Sequence, residues 1–148
     1  MAIHGSATET INAPIAEVYA IAADVENSPK WQPEIKDVEV VERDKAGNQT
    51  RVITKSDAKV KTVTSELEFS YDEPNGLSWK QKKGDMKSVT GSWTLKDLGD
   101  GTTEATYEMT VDMGRTLGLI IRGPLVDVLR GQMVDTMPGK LKGFVEKG

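Results

Sequence analysis

Three groups of side chains in this sequence could do chemistry, and none of them completes a catalytic set. The first is a single carboxylate, Glu9, in an alternating stretch whose one face carries Ile3, Gly5, Ala7, Glu9 and Ile11. Pointing inward, it could remove an acidic proton or accept a ligand's hydrogen bond. An unpaired buried charge is expensive, so the competing account is a splayed strand end where Glu9 reaches water or a basic side chain of the C-terminal segment. The second group is polar and neutral: Thr54, Ser56, Ser65, Tyr71, Gln81 and Tyr107, on faces expected to point inward. Such groups hold a ligand's polar atoms or ordered water when a void surrounds them. The third group could wall that void: Leu67, Phe69, Trp79, Trp93, Met109 and Met113. Small residues at 52–58 and at Ser65, where a solid core would place Leu, Ile or Phe, leave volume for it, and methionine adapts to what enters.

Several chemistries are excluded by count. With His4 alone, near the N-terminus and on the strand face opposite Ile11, there is no histidine triad or multi-histidine metal site. No cysteine is present, which removes thiolate catalysis and disulfides. Neither a Gly-rich phosphate loop nor an acidic cluster with metal spacing occurs, so neither metal nor cofactor is expected. The net charge of −4 opposes nucleic-acid binding. Residues 115–148 nevertheless carry six basic and three acidic side chains against 13 and 20 before them, so the C-terminal segment is the basic part. Lys80, Lys82, Lys83 and Lys87 flank Gly84-Asp85-Met86, which reads either as a solvated hairpin or as a docking patch anchored by Met86.

These groups need elements to position them. At 148 residues the chain is of single-domain size, and residues 1–148 are read as one ligand-binding domain. Its start lacks a signal peptide's basic and apolar regions, and no apolar run is long enough to span a membrane, so a cytoplasmic protein without stable membrane insertion is expected. Oligomer signals are weak, and a weak homodimer stays open. Alternation and turn residues predict strands over Ile3–Ile11, Ile35–Arg43, Thr50–Ala58, Val60–Tyr71, Leu77–Lys83, Ser88–Leu98 and Thr102–Met113. Val60 is out of phase with Val63, Leu67 and Phe69, which predicts a bulge near Thr62. Between the first two strands, Pro14 opens a helix carrying Ile15, Val18, Tyr19 and Ala22, and a second short helix fits Val25–Pro33.

After Arg115, apolar residues recur every fourth position: Leu117, Ile121, Leu125, Leu129, Met133, Met137, Leu141 and Val145. A period of four drifts by about 40° per step on an α-helix, so a straight rod cannot keep all eight on one face. Breaks are therefore expected at Pro124 and Pro138, giving a short helix over Thr116–Arg122 and a main helix from Pro124 bent near Pro138. Leu117, Ile121, Leu125, Leu129 and Met133 would then face a ligand, with Gly114–Gly123 either the hinge of a lid or a static kink.

The stretch Ile11-Asn12-Ala13-Pro14-Ile15, followed by an apolar helix and Asp24-Val25-Glu26-Asn27-Ser28-Pro29-Lys30-Trp31, resembles the N-terminal signature of the START/Bet v 1-like (SRPBCC) superfamily, in its bacterial polyketide cyclase/dehydrase and lipid-transport branch. The resemblance implies an α+β helix-grip fold, a curved seven-stranded antiparallel sheet wrapped around a long kinked C-terminal helix. It implies a hydrophobic small-molecule ligand, lipid-like or aromatic, held between sheet and helix, with Trp31 clamping the short helices over the mouth. Because the superfamily puts carriers, ring cyclases and cochaperones on one scaffold, a cyclase or dehydratase in the same cavity and an interaction module with an incidental cavity stay open. Glu9 departs from the pattern, since relatives usually place an apolar residue there.

Overall fold

The computed structural model describes residues 2–147. β1 (Ala2–Ile11) leads into α1 (Ile15–Ala22) and a 3-10 helix (Val25–Lys30). β2 (Ile35–Arg43), β3 (Gln49–Asp57), β4 (Thr62–Asp72), β5 (Gly76–Gly84), β6 (Ser88–Asp97) and β7 (Thr103–Asp112) then follow as a meander. The chain ends in α2 (Gly114–Ile120), α3 (Pro124–Arg130), a π-helical turn (Gly131–Asp135) and α4 (Met137–Lys147). The strands fall where the alternation placed them, with ends moved by a residue or two.

All pairings are antiparallel, in the order β1-β7-β6-β5-β4-β3-β2. β1 pairs with β7 without a break, from Ala2 opposite Asp112 to Ile11 opposite Thr103, which leaves β1 and β2 as the sheet edges. The two short helices connect those edges. Burial alternates along β6, where Val89, Trp93 and Leu95 are buried while Thr90, Thr94 and Lys96 are exposed. One face of the sheet is wet and the other carries the helices, which is what the period-two pattern requires.

One local expectation is corrected. No bulge forms at Thr62, because Val60 belongs to a turn in which Ala58 and Lys61 are hydrogen-bonded and Lys59 takes a φ of 71°. Its side chain is exposed, so its phase carries no information about β4. The main helix is interrupted close to Pro138, as expected, and the interruption takes the form of a π-helical turn followed by Thr136. Pro138 has no N–H for the Val134 carbonyl, and upstream the Thr136 N–H donates to Gly131 O, five residues back, at 3.1 Å. The Thr136 hydroxyl donates to the same carbonyl at 2.8 Å. This wide turn absorbs part of the drift of the four-residue period. Leu117, Ile121, Leu129, Met137, Leu141 and Val145 are buried, whereas Ile120, Val128 and Phe144, beside the stripe, are exposed.

The π-helical turn and α4 both approach β1 closely. A Cβ on Gly5 would stand 3.0 Å from Val134 Cγ1. The Lys142 ammonium donates to Thr10 O at 2.8 Å, and the Asn12 N–H donates to the Glu146 carboxylate at 2.9 Å. No helix among the described residues is long and apolar enough to cross a membrane.

Candidate ligand-binding cavity

The core is divided. One buried cluster holds Ile11, Val18, Trp31, Trp93, Ala105, Leu141 and Val145 among others. The second holds Ile3, Val63, Leu67, Val89, Val111, Leu117, Ile121 and Leu129. Phe69, Trp79, Met109 and Met133 pack against both clusters yet stay only partly buried, because between the clusters lies a cavity that all four line. The cavity is partly open to solvent, and its volume is about 120 Å³. That is of the order of the ~150 Å³ apolar cavity known to take one benzene ring. It is below the roughly 300 Å³ at which ordinary ligand sites begin. A larger ligand therefore requires side-chain movement, and Met86, Met109, Met133 and Met137 on the wall are the flexible ones.

Aromatic rings run along the sheet in one contact series. Trp31 meets Trp93, Trp93 meets Tyr107, Tyr107 meets Trp79, Trp79 meets Phe69 and Phe69 meets Tyr71, with centroids 4.7–6.2 Å apart. Trp79 keeps its place because the residue opposite, on β6, is Gly91. Trp31 is buried against Trp93 behind the wall.

Of the side chains expected to face a ligand, Thr54, Ser56, Ser65, Leu67, Phe69, Trp79, Trp93, Tyr107, Met109 and Met133 line this cavity. Gln81 and Tyr71 do not, because their polar atoms are engaged elsewhere. The Gln81 amide accepts from Ser65 Oγ and donates to Met86 O, both at 2.7 Å, and so braces the β5–β6 hairpin. The Tyr71 hydroxyl donates to Gln49 O at 2.6 Å. Leu117, Ile121 and Leu129 are buried in the second cluster with Leu125 packed against it, off the cavity wall. Glu9 is half-buried on the β1 face shared with Gly5 and Ile11, the face α4 packs against, and it does not reach the cavity. Met86, the anchor only in the docking-patch alternative, lines the cavity wall. His4 is exposed, with Nδ1 2.6 Å from Thr110 Oγ1.

Two acidic residues do line the cavity, Glu34 and Asp57; the Asp57 carboxylate accepts from the Lys59 N–H, and Glu34 is the one tied to the C-terminal helix. It precedes β2 in Pro33-Glu34-Ile35, where a charged residue at a strand start looks ordinary in sequence, so alternation gave no signal for it. Its Oε2 accepts from the Lys140 ammonium at 3.0 Å, and that ammonium also donates to Gln132 O at 3.1 Å. The Gln132 amide donates to Asp57 O at 2.8 Å, and the Asp57 N–H donates to Glu34 O at 2.7 Å. Four residues from β2's start, β3's end, the π-helical turn and α4 thus close a ring of hydrogen bonds, and Glu34, Asp57 and Gln132 of that ring line the cavity. Gln132 was also missed. On a regular helix it would stand about 100° from Met133, but in the wide turn both reach the wall.

Electrostatics favour hydrogen-bond donation from Tyr107. Burial pushes its hydroxyl well above the usual tyrosine range, and the negative charge of Glu34 adds to the shift. It stays protonated at neutral pH, with only the Met109 sulfur, a weak acceptor at 3.3 Å, as partner. Among the described residues no group of three or more His, Asp or Glu is placed to hold a metal ion.

Comparison with known proteins agrees with this architecture. No curated protein matches the chain. Among solved structures, it is similar to a START superfamily protein from Mycobacterium smegmatis, at 21% identity over 97% of each chain with a TM-score of 0.83. A Thermus thermophilus protein shares 24% identity over 97% of this chain and 95% of that one, with a TM-score of 0.75. The Zhui aromatase/cyclase from Streptomyces shares 18% identity over 99% and 84%, with a TM-score of 0.67. At these identities the likeness is one of fold. The sequence model described as polyketide cyclase / dehydrase and lipid transport matches residues 11–137, and the chain belongs to that family.

Proposed function

We propose that this chain binds a hydrophobic small molecule, lipid-like or aromatic, in the cavity between sheet and C-terminal helix, and acts as its carrier or receptor. One observation carries the reading. Phe69, Trp79, Met109 and Met133 bridge both core clusters yet remain only partly buried, and all four line the cavity. A fold selected only for stability would close that space, since each such side chain forgoes part of its burial free energy, about 25 cal/mol per Å² of apolar surface.

The test is native mass spectrometry of freshly purified protein together with calorimetric titration of toluene, a ligand sized to one ring. Binding that a cavity-filling Met133→Trp variant abolishes, with the fold intact by circular dichroism, supports the reading. Nothing copurified and no titratable site would sink it.

A second reading, a cyclase in the same cavity, rests on Glu34 and Tyr107 lining one wall within electrostatic range. Glu34 would take a proton from a carbon flanked by two carbonyls while the Tyr107 hydroxyl steadies the enolate oxygen. The carbanion would then attack a second carbonyl of the chain, and the resulting alkoxide would regain the proton. Turnover of a poly-β-ketone thioester that Tyr107→Phe lowers at least about tenfold would favour this reading. An unchanged substrate returned from the protein would favour the carrier.

A further inference from the structure

Glu34 holds an atom that nothing in the chain satisfies. Its side chain is 9% exposed, Oε2 is bound to Lys140, and Oε1 is buried with no hydrogen-bond partner. Buried polar atoms are almost always paired, and an unpaired oxygen on an ionised group is among the least favourable of exceptions. The exception falls on a residue of the cavity wall, with Oε1 itself just beneath the wall surface, so a ligand donor reaches it when a flexible wall side chain shifts aside. Tyr19 Oη and Arg51 Nε also lack a hydrogen-bond partner, but Arg51 Nε faces Glu66 Oε2 at 3.8 Å and neither residue lines the cavity.

Resting on the ligand-binding reading above, we infer that Glu34 Oε1 is the polar anchor of the cavity and that it selects ligands carrying a neutral hydroxyl, a phenol or an alcohol, on an apolar body. The anchor needs a donor, because a carboxylate can only accept. It needs a neutral donor, because Lys140 already balances the Glu34 charge, and bringing a second cation into this apolar space would leave that cation uncompensated. Ligand carboxylates and phosphates are disfavoured by the same oxygen. The rest of the wall agrees. Trp79, Phe69, Leu67 and Met133 offer surface to a hydrocarbon body, and the Tyr107 hydroxyl gains by exchanging a sulfur acceptor for a ligand oxygen.

Selection of this kind is a difference between ligands, so it is read from a pair with one shape: phenol and toluene. Calorimetric titration of both into wild type, Glu34→Leu and Glu34→Gln separates the anchor from the cavity. The ratio of the two dissociation constants cancels the hydrophobic contribution they share. In Glu34→Leu, phenol affinity is expected to fall at least about tenfold relative to toluene. Glu34→Gln, an amide that still accepts but without charge, is expected to show a smaller fall of the same sign. A phenol-to-toluene ratio equal in wild type and Glu34→Leu overturns the anchor while leaving the cavity reading intact. If neither compound binds wild type, both readings fall. Should Glu34→Leu not fold, an unchanged ratio in Glu34→Gln overturns the proposal on its own.

Discussion

Gly91 stands opposite Trp79 on the neighbouring strand, and a Cβ at 91 would lie 2.4 Å from the Trp79 ring. The absence of one methyl group therefore seats the indole that walls the cavity. Trp79 is also flanked by Phe69 and Tyr107, at ring centroids of 5.6 Å each. Gly91→Ala forces the ring off its seat or spreads the two strands. The expected outcome is a loss of about 1–3 kcal/mol in urea unfolding. Changed tryptophan emission and weakened toluene binding should accompany it. A variant as stable as wild type, with unchanged emission, would show that the contact is not restrictive.

Gly5 does for the helix what Gly91 does for the indole. With 3.0 Å between a Cβ at 5 and Val134 Cγ1, Gly5→Ala pushes the π-helical turn from β1 by a few tenths of an ångström. Gly5→Ala should cost on the order of 1 kcal/mol. Val134→Ala alone should cost about 1–3 kcal/mol for a vacated core site. Since each change makes room for the other, the double variant should be more stable than the sum predicts, and a double-mutant cycle on unfolding free energies reads that coupling. Strict additivity would mean the strand and helix do not press on one another.

Tyr107 predicts the alkaline limit of stability. Its hydroxyl is pushed up by burial first and by Glu34 second, so the folded protein keeps this proton at a pH where the unfolded chain has released it. The sign follows directly. A raised folded value contributes stability that is full below the unfolded value, near 10, and that is lost as pH rises toward the folded one. Above pH ~10 the native state should therefore weaken by about 1.4 kcal/mol per pH unit for this one group. Tyr107→Phe should lose that share of the slope, seen in urea midpoints and in the pH of tyrosinate absorbance. Equal slopes in both proteins would place the alkaline transition elsewhere.

Alternation carried the sheet because each strand buries one face, and the turn residues between strands fixed their ends. Ten of the cavity-wall side chains, among them Ser65, Trp79 and Met133, were readable for the same reason: their face is set by parity or by the helical stripe. What parity cannot give is a partner. Gln81 and Tyr71 lie on the expected strands but spend their polar atoms on Met86 O and Gln49 O, contacts that depend on how hairpins and loops fold back. Glu34 sits outside any periodic element, and its pairing with Lys140 joins residues 106 positions apart, which no local pattern encodes. Glu9 was on the inward face in phase, but that part of the face is covered by α4.

The four-residue period in the last helix was legible as a problem before its solution was. Its drift required a break, Pro138 marked the place, and the break takes the form of a π-helical turn just ahead of it. That turn leans on one side-chain bond, from the Thr136 hydroxyl to Gly131 O at 2.8 Å, which doubles the backbone bond from the Thr136 N–H to the same oxygen. Thr136→Val keeps the shape and removes the hydroxyl. Thr136 is exposed, so no cavity forms, and the cost in global stability should be about 0.5–1.5 kcal/mol or less. The local effect should be larger in kind. Amide exchange should quicken at Thr136 and across Gly131–Asp135, while β1 and β7 stay protected. Because Gln132 and Met133 both reach the cavity wall from this turn, toluene binding should weaken in the same variant although the substituted residue does not touch the cavity. Exchange and binding identical to wild type would mean that the backbone bond and Pro138 hold the turn without help.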